Sequence, residues 1–125
     1  MEYRLTSPIG SRALLGLIVL QTDETIEADF RRIFTARDVA TYVSRVPSGA
    51  DVTPKTLMSM AMELPTATGL LPPSLTFDAI GYGCTSGATI IGPDRVAELI
   101  KNAARVNAVT DPLSAVLAAI AALEV

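Results

Sequence analysis

The chain has no histidine and no tryptophan, and its 125 residues include one cysteine, Cys84. Without histidine there is no Ser–His or Cys–His nucleophile pair and no imidazole to ligate a metal. One cysteine forms no internal disulfide, which fits a reducing compartment. Charge is sparse as well. Ten basic residues against thirteen acidic ones give a net charge of −3 without a basic cluster, which argues against a nucleic-acid partner. The apolar run from Ala13 to Leu20 is too short to span a bilayer, and its flanks do not suit a signal peptide. These absences lead us to expect a cytoplasmic protein with no membrane partner.

What is present is largely apolar. Half of the residues are hydrophobic, enough to bury a core without disulfides or metal, and 125 residues make one domain, 1–125. "ALLGLIVL" (13–20) reads as a strand buried on both faces. "TDETIEADFRRIF" (22–34) reads as a helix capped by Thr22 or Asp23, with Ile26, Phe30 and Ile33 at helical spacing. "VATYVSRVP" (39–47) alternates and is β-branched, as a second strand should be. "TPKTLMSMAMEL" (53–64) offers Thr53 as a cap and Pro54 at the first helical position, and "TATGLLPPS" then breaks the pattern. A third strand over 76–83, a helix over 94–106, a short strand over 107–110 and a last helix over 113–123 complete the series. Strands alternating with helices imply an α/β fold: a four-stranded parallel sheet with helices on both faces, in a flavodoxin-like three-layer sandwich.

The last helix is unusual. From Leu113 to Leu123 it is nearly all apolar, with almost no solvent face and no Gly, Lys or Arg to finish it. A helix apolar all round is normally covered on all sides, and one four-stranded layer cannot cover it. A partner subunit in a homo-oligomer, or a second half-domain, is expected to pack there.

In open parallel sheets, ligands bind outside the carboxyl ends of the strands. Three segments end at that edge: "LQTDET" after the first strand, "GCTSG" after the third and "TDPLS" after the fourth. Their hydroxyls and backbone N–H groups suit a small anion. In "GCTSG", Cys84, Thr85 and Ser86 put a thiol and two hydroxyls in one turn lined by glycines. N–H donors near a helix start favour a thiolate, which suits a nucleophile or proton carrier; a small buried hydrophobe is the competing role for Cys84. Asp23 and Glu24 read first as helix-start carboxylates, and Tyr82 as a packing residue. Thr110 and Asp111 suit the crevice or the cap of the last helix equally, and Met58, Met60 and Met62 read as core or interface filler.

Taken together, "LLGLIVLQTDETIEADF", "RVPSGADVTPKTL", "FDAIGYGCTSGA" and "AVTDPLSAVLAAIAALEV" resemble the aspartate/glutamate racemase superfamily, in its branch of maleate cis–trans isomerases and arylmalonate decarboxylases. The third segment is the most specific. The resemblance covers nearly the whole chain in order and implies one half of a pseudo-symmetric two-domain unit, with the active site between the halves. It implies a small carboxylate substrate, no cofactor and no metal. Two thiols would flank the substrate, one from each half, with Cys84 in the first-half position and Thr85 and Ser86 among the oxyanion donors. In racemases one thiol removes the α-proton and the other returns it; in maleate isomerases the first-half thiol attacks the double bond. In decarboxylases the second-half thiol protonates an enediolate. By the same resemblance Gln21, Thr22, Asp23 and Thr110 would line the substrate site. Isomerase relatives carry a small polar run ending in Asn in the first loop, where this chain has Leu20, Gln21, Thr22 and Asp23. An ionised Asp23 would repel a carboxylate. The second thiol belongs to the family's second half, so the 125 residues are expected to be weakly active alone. The alternative is a non-catalytic half-unit that dimerises through its last helix and binds a small anion or a protein.

Overall fold

The computed structural model describes residues 1–124. Strands β1 (Ala13–Leu20), β2 (Val39–Val46), β3 (Phe77–Tyr82) and β4 (Val106–Thr110) form one parallel sheet in the order β2-β1-β3-β4. β1 is central, which explains its unbroken apolar run. Its pairing puts Gly16 beside Tyr42 and Ile80, and Ile18 beside Ser44 and Tyr82, on one face of the sheet. Leu17, Val43, Gly81 and Thr110 share the opposite face.

The first of these faces is the well-packed one. Ile18, Ile80 and Tyr82 meet Leu57, Met60, Leu64 and Ala67 of α2 (Pro54–Gly69), Ala88 of α3 (Thr85–Ile91), and Val96 and Ile100 of α4 (Pro93–Ala103). Gly16 is needed there, because a Cβ on it would come within 2.7 Å of Ile80 Cγ1. The opposite face carries α1 (Ile26–Ile33) and the start of α5 (Pro112–Leu123). The α/β sandwich with helices on both faces is therefore present. No helix among the described residues is long and apolar enough to cross a membrane.

Several boundaries differ from the sequence reading. α1 begins at Ile26 rather than in the 22–25 stretch, because Asp23 Oδ1 accepts from the N–H groups of Thr25 and Ile26, both at 2.9 Å, and holds a turn before the helix. α2 runs on to Gly69, past Pro65, although "TATG" was expected to end it. An internal proline costs roughly 3 kcal/mol. Burial of Leu64 just before it and of Ala67 and Thr68 on the next turn offsets that cost, and Thr68 Oγ1 donates to Leu64 O at 2.7 Å. The N-terminus of α2 is as expected, with Thr53 and Thr56 forming a capping box and Pro54 at the first position. The expected helix over 94–106 is instead Pro93–Ala103, and β4 begins at Val106, inside the range expected to be helical.

The turn after β3 does not lead through a loop to α4. It opens the separate short helix α3, and Gly92 joins α3 to α4 at φ +92°, a conformation open to glycine without strain. Of the three methionines of α2, Met60 is core, while Met58 and Met62 are exposed. The apolar α5 has no buried residue at all: Val116, Leu117, Ile120 and Leu123 stand 44 to 71% exposed.

Candidate active site

The carboxyl edge of the sheet gathers the predicted residues into two groups. The first centres on Cys84, which lies two residues past the end of β3 in extended conformation and is the N-cap of α3. Its Sγ accepts the N–H of Gly87 at 3.2 Å, a role that serine or aspartate usually fills. Its carbonyl accepts the N–H of Ala88 at 2.9 Å. The first-turn N–H groups of Thr85 and Ser86 are, by helix geometry, left for water or a ligand, and both side chains are exposed. Cys84 itself is 7% exposed, while Thr85 and Ser86, which follow it in the chain, are exposed.

Tyr82 supports Cys84 from below. Only 1% exposed, it places its hydroxyl within hydrogen-bonding distance of Met60 Sδ, at 3.8 Å. Burial, then the negative charge of a neighbouring Cys84 thiolate and a hydrogen bond to it, push the phenol up from its ordinary value of 10.0. Met60 in turn lines a cavity of about 130 Å³ with Leu20, Thr22, Ser48, Thr56 and Leu57. In its mouth Thr22 Oγ1 and Ser48 Oγ are 3.4 Å apart. Thr22 thus belongs to the same side of the edge as the cysteine.

The loop that carries Gln21, Thr22 and Asp23 is held by Arg45 of β2. Its Nη1 donates to the carbonyls of Leu20, Gln21 and Asp23 at 3.0, 3.3 and 2.7 Å, and its Nη2 donates to Glu27. Gln21 is exposed, and its N–H donates to Val46 O at 3.0 Å. Asp23 is occupied at the start of α1, so its carboxylate acts as a helix-start group in this structure.

Thr110 lies apart. With Leu17, Ile26, Phe30, Gly83 and Asp111 it lines a groove of about 200 Å³ between α1 and α5, which Cys84 does not line. Asp111, rather than Thr110, caps α5: it accepts from Ser114 N at 3.0 Å and from Ser114 Oγ at 2.6 Å. Sequence reasoning missed Arg45, whose role depends on which strand lies beside the loop, and the nearness of the Tyr82 hydroxyl to the thiol. The i, i+2 spacing of Tyr82 and Cys84 was a signal for the latter, since alternate strand residues share a face. Among the described residues no three His, Cys, Asp or Glu side chains gather as a metal site.

No family model matches the chain, and no curated protein matches it. A functional reading therefore has to start from the carboxyl edge and its single thiol.

Proposed function

We propose that this chain is one half of a cofactor-independent thiol enzyme of the aspartate/glutamate racemase type, an isomerase, racemase or decarboxylase of a small mono- or dicarboxylic acid. The observation that carries the reading is the position of Cys84. It caps a helix at the carboxyl edge of a parallel sheet, immediately before Thr85 and Ser86, where substrates of open α/β sheets bind. As a thiolate, Cys84 would take the α-proton of a bound acid or add to an activated double bond. The hydroxyls and first-turn N–H groups of Thr85 and Ser86 would carry the charge that develops on the substrate carboxylate as it becomes enolate-like. Such preorganised donors are worth about 3 kcal/mol each in the transition state. A second thiol on the opposite side of the substrate would come from the other half of the cleft.

One thiol is enough for a half-reaction, and this makes the proposal testable on the 125 residues themselves. A single base that removes and returns a proton on one side exchanges it with solvent without inverting the centre. Proton NMR in D₂O with maleate, a malonate and an α-amino dicarboxylate should show exchange, isomerisation or loss of CO₂ for one of them. The change should vanish in Cys84→Ala. No Cys84-dependent change in any of the three overturns the proposal.

A second reading is favoured by α5, an apolar helix with no buried residue. On this reading the chain is a non-catalytic unit that pairs with a copy of itself through α5 and holds a small anion at its carboxyl edge.

A further inference from the structure

α5 is held to the rest of the chain by its first turn. Pro112, Leu113 and Ser114 are half-buried, with Leu113 against the core, and every residue from Ala115 to Glu124 is exposed. A free helix of 12 residues is marginal in water, so its stability has to come from what it packs on. The sheet offers a seat. Strand pairing lines up Leu15, Ala79 and Ala108 in one row across β1, β3 and β4, and Leu17, Gly81 and Thr110 in the next, on the face that carries α1. Of these only Leu17 is buried; Ala79 and Gly81 are half-buried, and Ala108 and Thr110 are exposed. Parallel strands are normally covered by helices on both faces, and here β3 and β4 stand open on one.

Seat and helix match in length, shape and charge. α5 spans about 18 Å, close to the roughly 17–20 Å of strands as short as β4 and β3. The seat is floored by the small residues Ala79, Gly81 and Ala108, while α5 offers the large Val116, Leu117 and Ile120. No side chain from Pro112 to Leu123 ionises, and the one carboxylate lining the adjoining groove, Asp111, is engaged by Ser114. The chain's own α5 does not lie there. Asp111 fixes its first turn and Leu113 packs on the core, so the exposed remainder leaves the sheet.

Surface area points to a second copy as the occupant. The chain exposes 8296 Å², whereas a compact monomer of 13.1 kDa exposes about 6,400 Å², an excess of about 1,900 Å². Residues 1–9, exposed throughout, carry part of this excess, and α5 and the open sheet face carry more. A stable interface takes about 800 Å² from each partner, less than half of the excess. We infer that α5 is an exchanged arm: in a two-fold dimer of this chain, α5 of each copy lies on the β3–β4 face of the other. The exchange is reciprocal, so the assembly closes at two chains. This rests on the pairing reading of α5 given above, adds the surface on which the helix sits, and does not depend on the chemistry of Cys84.

The test joins the helix of one chain to the sheet of another. Leu117→Cys and Ala108→Cys, each at an exposed position, are refolded together in equal amounts and oxidised. The main cross-link should join position 117 of one chain to position 108 of the other. The parent should sediment at twice 13.1 kDa. Cys84 is buried, and the parent oxidised in the same way should form no cross-link. A dimer whose only cross-link is 117 to 117 overturns the exchange and leaves the pairing reading standing, and so does a dimer with no cross-link. A parent that stays at 13.1 kDa, whether α5 folds back on its own sheet or serves another protein, removes both. Should either variant fold poorly, a mixture of ¹³C-labelled and unlabelled parent chains answers the same question. Isotope-filtered NOEs should connect the Leu117 methyls of one chain with the Ala108 methyl of the other, and their absence overturns the exchange.

Discussion

Replacing Gly87 by alanine sets two effects of opposite sign against each other. Gly87 lies in the first turn of α3, where alanine is favoured over glycine by about 1 kcal/mol. The added methyl would lie 2.4 Å from Tyr82 Oη, 3.0 Å from Cys84 Sγ and 3.2 Å from Tyr82 Cε1. Ordinary contact needs about 3.5 Å or more, so the tyrosine hydroxyl must retreat by about 1 Å. Tyr82 is fully buried and cannot swing into solvent. Overpacking of this kind costs about 1–3 kcal/mol, so overpacking wins by about 1 kcal/mol. In a 125-residue chain that lowers the melting temperature by about 3–5 °C. Gly69, the last residue of α2, is the control. A Cβ there meets nothing within 4 Å, so Gly69→Ala should gain about 0.5 kcal/mol. Thermal and urea unfolding of both variants measure the difference. If Gly87→Ala is as stable as Gly69→Ala, the close approach of Tyr82 and Cys84 to Gly87 is refuted.

Alkaline pH gives a second prediction. The folded Tyr82 keeps its proton above its ordinary value of 10.0 while the unfolded phenol gives it up, so the native state binds more protons there. Stability from this group is complete below pH 10.0 and falls above it, by up to about 1.4 kcal/mol per pH unit. Urea midpoints between pH 9 and 11 should fall less steeply in Tyr82→Phe; equal slopes would contradict this. Association through α5 gives a third. Leu117→Glu puts a charge on a side chain that is 57% exposed, so it should disturb the monomer fold by no more than about 0.5 kcal/mol. Sedimentation should then show a parent that associates and a variant that does not, and two monomers would remove the pairing reading.

The sheet was legible because β1 is a continuous run of apolar residues and β2 is β-branched and alternating, patterns that depend on the strand itself. The cap of α2 was legible for the same reason, since Thr53, Pro54 and Thr56 act on each other within one turn. The end of α2 was misplaced because "TATGLLPPS" looks like a break in sequence, whereas the burial of Ala67 and Thr68 that carries the helix on to Gly69 is a tertiary fact. α3 was missed because seven residues rich in glycine, threonine and serine have no helical stripe; the helix is held by the sulfur cap and by core contact at Ala88. At the site, the type of residue could be read but not its company. Cys84, Thr85 and Ser86 are contiguous and share a turn as expected, while Thr110 falls into a different groove because β4 delivers it to the other face of the sheet.

Arg45 has a consequence for how the carboxyl edge moves. One guanidinium on β2 holds three carbonyls, that of Leu20 at the end of β1 and those of Gln21 and Asp23 in the loop before α1, and also holds Glu27 within the helix. The loop, the first turn of α1 and the end of β2 are therefore fastened at a single rivet. They cannot loosen one bond at a time, because a shift of the arginine strains all of its acceptors together. Opening at this edge should behave as a latch, fully shut or fully released, with few intermediate positions.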